Sequence, residues 1–140
     1  KMLKLAEKYN KPVIIHSRDA NSDTFNILKQ YNLKGVIHSF SGDLELAKKY
    51  IDLGYLIGVN GIITFKNADL IKVVKELPIQ KILIETDSPY LSPVPFRGEK
   101  NEPKNVLEVA KFLSKELNLE MAFLAEILDK NLRQIFDIKP

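Results

Sequence analysis

Two histidines are the only imidazoles in this 140-residue chain, and both close an aliphatic run. Val13-Ile14-Ile15 leads into His16-Ser17, and Val36-Ile37 leads into His38-Ser39. A third run, Ile82-Leu83-Ile84, leads into Glu85-Thr86-Asp87-Ser88-Pro89. Each run reads as a short buried strand, with its polar residue where a parallel strand finishes. In sheets built from strand–helix repeats, that end carries the chemistry. Two imidazoles and a carboxylate converging on one mouth form a ligand set for a divalent metal.

Taken singly, each residue has a plainer use. A strand-end histidine can be a hydrogen-bonded residue half in water, and Asp-Ser-Pro favours a turn. Repetition shifts the balance. Neighbouring parallel strands lie about 4.8 Å apart, so their terminal side chains can share an ion whose ligand atoms sit about 2.0–2.2 Å away. The spacing predicts His16 and His38 as the closer pair. Asp87 is then the third ligand, or the base that activates a bound water. Glu85 lies two residues earlier on the same strand face and is expected to support the ligands from behind.

Arg18, Lys66, Arg97 and Lys100 all follow strands and should fall on the same rim. Loop cations are common, but guanidinium groups bind phosphate oxygens bidentately, which would give these a use. Ser41-Gly42-Asp43 either offers backbone N–H groups to an anion or only makes a turn.

The elements that must hold these residues alternate. Helical spacing runs from Lys1 to Tyr9 and stops at Asn10-Lys11-Pro12. Val13–His16 is a strand and Ser22–Tyr31 a helix. Val36–Phe40 is the second strand. Asp43–Leu53 is a helix stopped by Gly54. Tyr55–Asn60 is the third strand. Asn67 should cap a helix to Leu77, which Pro78 ends. Ile82–Thr86 is the fourth strand. A long loop spans Ser88–Glu102, and loops of that length are often functional. Helices follow from Pro103 to Leu117 and from Glu120 to Asp129. Near-continuous aliphatic strands imply burial on both faces, hence a parallel sheet with helical crossovers. Pattern alone leaves two α/β folds open: a small doubly wound sheet, or part of a (β/α)8 barrel.

Bulk properties exclude little. The chain is 45% hydrophobic, with 21 basic and 18 acidic residues for a net charge of +3, too weak a balance to imply a nucleic-acid partner by itself. There is no cysteine, so disulfides and thiolate metal sites are excluded and a reducing, cytoplasmic setting is expected. No apolar run approaches the ~18–20 residues of a membrane span.

The segments KPVIIHSRDA, GVIHSFSG, GIITFKNA, ILIETDSPYLSPVPFRGEKNEP and DKNLRQIF resemble the second half of the TatD family of metal-dependent deoxyribonucleases. The resemblance implies a (β/α)8 TIM-type barrel, two divalent ions (Mg2+, Mn2+ or Zn2+) and hydrolysis of phosphodiester bonds, typically in DNA. By the same resemblance, His16 and His38 match the histidines that bind one ion. Asp87 matches the catalytic aspartate near the other. Arg97 matches a substrate-phosphate position, with Arg18 and Lys66 as further substrate-binding candidates. The family pattern also begins with His-x-His on its first strand and adds a bridging glutamate, and neither is present. Residues 1–140 are therefore expected to form the C-terminal half of one hydrolase domain. Its site would need the missing N-terminal half or a second chain.

In the mechanism implied, two ions clamp the scissile phosphate, and Asp87 orients or deprotonates the attacking water. Rival readings are an ester or amide hydrolase such as an aminoacyl-tRNA deacylase, a doubly wound binding module, and an inert fragment. Four strands cannot close a barrel. Bare sheet edges are expected, with the would-be interior facing water.

Overall fold

Aliphatic runs without polar alternation become parallel strands when both sheet faces are covered, and this chain covers them in two different ways. In a computed structural model, which describes residues 1–138, the strands are β1 (Val13–His16), β2 (Gly35–His38), β3 (Tyr55–Val59) and β4 (Ile82–Ile84). The helices are α1 (Met2–Lys8), α2 (Asn21–Leu28), α3 (Leu44–Asp52), α4 (Leu70–Lys75), α5 (Val106–Glu116) and α6 (Met121–Phe136). The sheet order is β1-β2-β3-β4 and every pairing is parallel. A doubly wound sheet reverses its strand order at a switch point. This sheet never reverses, so the fold is an α/β arc of the kind that forms part of a (β/α)8 barrel. Among the described residues no helix is long and apolar enough to cross a membrane.

One sheet face carries Ile37, Ile57, Val59 and Ile82, which pack with Ala47, Tyr50, Val74, Val109, Leu113 and Leu124 in the main core. The other face carries Val36, Leu56 and Leu83, which form a second cluster with Ile135. The expectation that this inner face would lie open to water therefore fails over three strands. The last helix runs two turns beyond the anticipated Asp129, to Phe136, and its final turn brings Ile135 and Phe136 onto the sheet. An Arg133–Asp129 ion pair one turn apart supports that extension. Asn131, almost fully buried, ties α6 to the sheet by donating Nδ2 to the carbonyls of Ile79 and Ile82. Only β1 keeps an open inner face, with Ile14 64% exposed.

Local chemistry explains the other boundaries. Asp43 caps α3 by accepting from the Leu46 N–H at 2.8 Å, and Gly54 ends that helix at φ 94°. Asn67 does not cap α4. The 3-10 turn Gly61–Thr64 and a further turn from Phe65 to Ala68 consume that segment, so α4 starts only at Leu70. β2 stops at His38 because Ser39 turns to φ 50°.

An apolar groove of about 530 Å³ lies between α1 and β1, where Met2, Leu5, Tyr9 and Ile14 are exposed. An unpaired edge beside apolar surface favours association. The 140-residue chain expressed alone should show concentration-dependent self-association in sedimentation experiments. Ile14→Lys should shift it towards monomer. A wild-type chain that stays monomeric at every concentration would show that this edge is inert.

Candidate active site

Parallel register sets the site. β1 and β2 pair so that His16 stands opposite His38, and their ring centroids are 5.7 Å apart. Alternation along each strand puts both histidines on the inner face, with Asn60 just past β3 and Glu85 just past β4. Together with Asp87 these residues share one rim, at the C-terminal ends of the strands.

His38 is gripped from both sides. Its Nδ1 lies 2.7 Å from Glu85 Oε2, and its Nε2 lies 2.8 Å from Asp87 Oδ1. The second Glu85 oxygen accepts the Ser39 N–H at 2.5 Å. The Glu85 carboxylate has room because β3 carries glycine at position 58. A Cβ there would sit 2.8 Å from Glu85 Oε1 and 2.9 Å from the Ile37 carbonyl.

Asn60 completes the frame. It is 2% exposed. Its Nδ2 donates to Asp87 Oδ2 and to Ser39 Oγ, each at 2.8 Å, while its Oδ1 accepts from the Ile62 N–H. Both oxygens of Asp87 are thus engaged. Burial pushes the His38 pKa down, but the hydrogen bond and charge of Glu85, then the charge and hydrogen bond of Asp87, outweigh it. The net shift is upward from the ordinary 6.5.

His16 and His38 are not the closer pair. The tight contact is between His38 and Asp87, because Asp87 turns onto Nε2, while His16 stays exposed on the edge strand. Among the described residues no group of three His, Cys, Asp or Glu side chains stands close enough to hold an ion by itself. The donors nevertheless fit a divalent cation in type: two imidazoles and a carboxylate. Glu85 on Nδ1 is the outer partner that ordinarily fixes the tautomer and orientation of a metal-binding histidine. His16, His38 and Asp87 thus share donor types suited to a divalent ion, while in this structure the two His38 nitrogens face Glu85 and Asp87.

A cavity of about 820 Å³ opens at this rim, its wall including His16, Arg18, His38, Ile62, Asp87 and Tyr90. Of the anticipated phosphate contacts, only Arg18 lies in it. Lys66 and Arg97 are not in its wall, and the Arg97 guanidinium instead stacks 3.7 Å over the Phe65 ring. Asp43 turns its carboxylate to the α3 N-terminus, which disposes of that helix start as an anion site. Asn60 and Tyr90 are the residues that sequence reasoning missed. Asn60 ends its strand as the histidines end theirs, and that parallel was the available signal.

The family model for TatD related DNase matches residues 1–137. An uncharacterized metal-dependent hydrolase of Buchnera aphidicola from Acyrthosiphon pisum is 45% identical over 140 residues, covering 97% of this chain and 53% of that protein. One from Bacillus subtilis, YabD, is 40% identical over 138 residues, covering 96% and 54%. The crystal structure of YjjV, a TatD homologue from Escherichia coli, superposes with a TM-score of 0.91 at 33% identity, covering 98% of this chain and 54% of that one. The chain thus spans about half the length of the relatives it matches.

A raised histidine pKa makes a signed prediction for the metal-free protein. The carboxylate–imidazole contacts stabilise the fold fully below the unfolded-state value of 6.5 and stop doing so as pH rises through the folded value. Unfolding free energy should therefore fall as pH climbs through that window. Glu85→Gln, by removing the dominant raising group, should shrink the fall and lower the His38 pKa seen by NMR titration. An unaltered His38 titration in Glu85→Gln would show that Glu85 does not set it.

Proposed function

The chain belongs to the TatD related DNase family, and we propose that within a complete barrel its mouth hydrolyses phosphodiester bonds of DNA with two divalent cations. The observation that carries this reading is His38, fixed by Glu85 on one side and facing Asp87 on the other, at the rim where His16 also ends its strand. His16, His38 and Asp87 would hold cations. Bound there, the cations would supply Lewis acidity towards the phosphoryl group and its attacking water.

The remaining roles fall to this chain's own side chains. Glu85 holds the His38 ring. Asn60 orients Asp87 through Oδ2. Asp87 accepts the proton of the attacking water. Arg18, exposed in the cavity wall, binds a non-bridging phosphate oxygen. Further ligands come from the other half of the barrel, in the same polypeptide or a second chain.

In such a complete barrel, His38→Ala should lower bound divalent metal and abolish cleavage of single-stranded DNA. Arg18→Ala should leave metal content unchanged and weaken substrate binding about 10- to 100-fold, the size of one lost charge-assisted contact. Arg97→Ala, whose guanidinium lies on Phe65 outside the cavity wall, should cost much less. Metal analysis alongside cleavage kinetics reads all three. Turnover of an aminoacyl-tRNA but not of DNA would move the reading to ester hydrolysis.

A further inference from the structure

We propose that Tyr90 is a stacking platform for a nucleobase next to the scissile phosphate. The proposal rests on the phosphodiester reading above and assigns a residue that the reading leaves without a task. Tyr90 is 74% exposed, yet it lies in the wall of the cavity that holds His38 and Asp87.

Its backbone is fixed far more firmly than an exposed loop residue needs. The Tyr90 N–H donates to the Asp87 carbonyl at 2.6 Å. The Tyr90 carbonyl accepts from Asn101 Nδ2 at 2.7 Å. Asn101 is itself 2% exposed, its Oδ1 accepts from Asn105 Nδ2 at 3.0 Å, and its N–H donates to the Pro89 carbonyl. On the next residue, the Leu91 carbonyl presses on Gly61, where a Cβ would come within 2.3 Å.

Two buried asparagines thus pin a backbone whose ring stands in solvent. Burying polar amides is costly unless they are fully bonded, and the core gains no apolar area from this ring. What the arrangement does provide is a fixed backbone position from which an exposed ring joins the cavity wall that Asp87 also lines. Pre-positioned aromatics next to a cationic group are how proteins bind single-stranded nucleic acid: the base stacks and the cation takes the phosphate. Arg18 supplies the cation in the same cavity, and Ile62 and Leu91 add apolar surface to its lining. Stacking uses a face that every base has, so the subsite should tolerate any base.

The test is equilibrium binding to the complete barrel of two phosphorothioate single-stranded oligonucleotides, alike except that one carries abasic positions at its centre. Wild type should bind the base-containing strand about tenfold or more tightly than the abasic one. Tyr90→Ala should erase that difference while leaving abasic affinity unchanged, and Tyr90→Phe should keep it. Because the ring is exposed, neither substitution should disturb the fold. The proposal is overturned if Tyr90→Ala still discriminates, if it weakens both strands equally, or if Tyr90→Phe behaves like alanine. Failure of wild type to bind either strand overturns the phosphodiester reading and this proposal together. Binding both strands equally overturns only the platform.

Discussion

The carboxylate of Glu85 can reach His38 only because the strand between them carries no side chain at Gly58. The rest of the rim depends on that clearance. With Glu85 on Nδ1, the imidazole has one orientation, and its Nε2 points at Asp87. With the other Glu85 oxygen on the Ser39 N–H, the chain leaves β2 in the left-handed region, and the Ser39 hydroxyl comes within reach of Asn60. Asn60 then fixes Asp87. A hydrogen bond to a charged group contributes about 1.5–3 kcal/mol, and leaving one partner buried and unpaired costs comparably. A methyl group at position 58 would therefore disturb a chain of linked contacts rather than one.

The scaffold that carries this frame is rigid for a separate reason. Three of the four strands are buried on both faces, by the crossover helices on one side and by the end of α6 on the other. Asn131 joins the two arrangements. Its amide satisfies the carbonyls beside and within β4, so α6 cannot shift along the sheet without stranding buried acceptors. The DKNLRQIF segment, which carries part of the family resemblance, thus has a packing role: Asn131 bonds the carbonyls of Ile79 and Ile82, and Ile135 closes the inner face.

Elements with purely local determinants were legible in the sequence. β1 has the anticipated bounds because Pro12 and His16 delimit it. α3 begins and ends where Asp43 and Gly54 provide a cap and a left-handed residue. The strand-end histidines came together because parallel register follows from strand order. Apart from the late start of α4, which local turns over residues 61–68 set, what escaped depended on contacts distant in sequence. The length of α6 is set by what Ile135 meets on the sheet. The direction of Arg97 is set by Phe65, a neighbour brought near by folding. The contact of Asp87 with His38 Nε2 depends on where Asn60 lies, and nothing in the local pattern around Asp87 encodes that.

His16 poses a different physical problem from His38. His38 lies between two paired strands and two carboxylates, so its position is over-determined. His16 ends an edge strand whose inner face is open and whose outer edge lacks a ladder partner among the described residues. A ligand on such a strand is only as well placed as the edge itself, and edges twist and fray unless paired. Catalytic geometry tolerates errors of only about 0.5 Å. On the proposed reading, in which His16 is a donor within a complete barrel, an element paired with β1 would fix that donor as well as close the sheet. Assembly and chemistry are coupled at that strand, and a change that loosens the β1 edge far from the mouth should be felt at His16 before it is felt at His38.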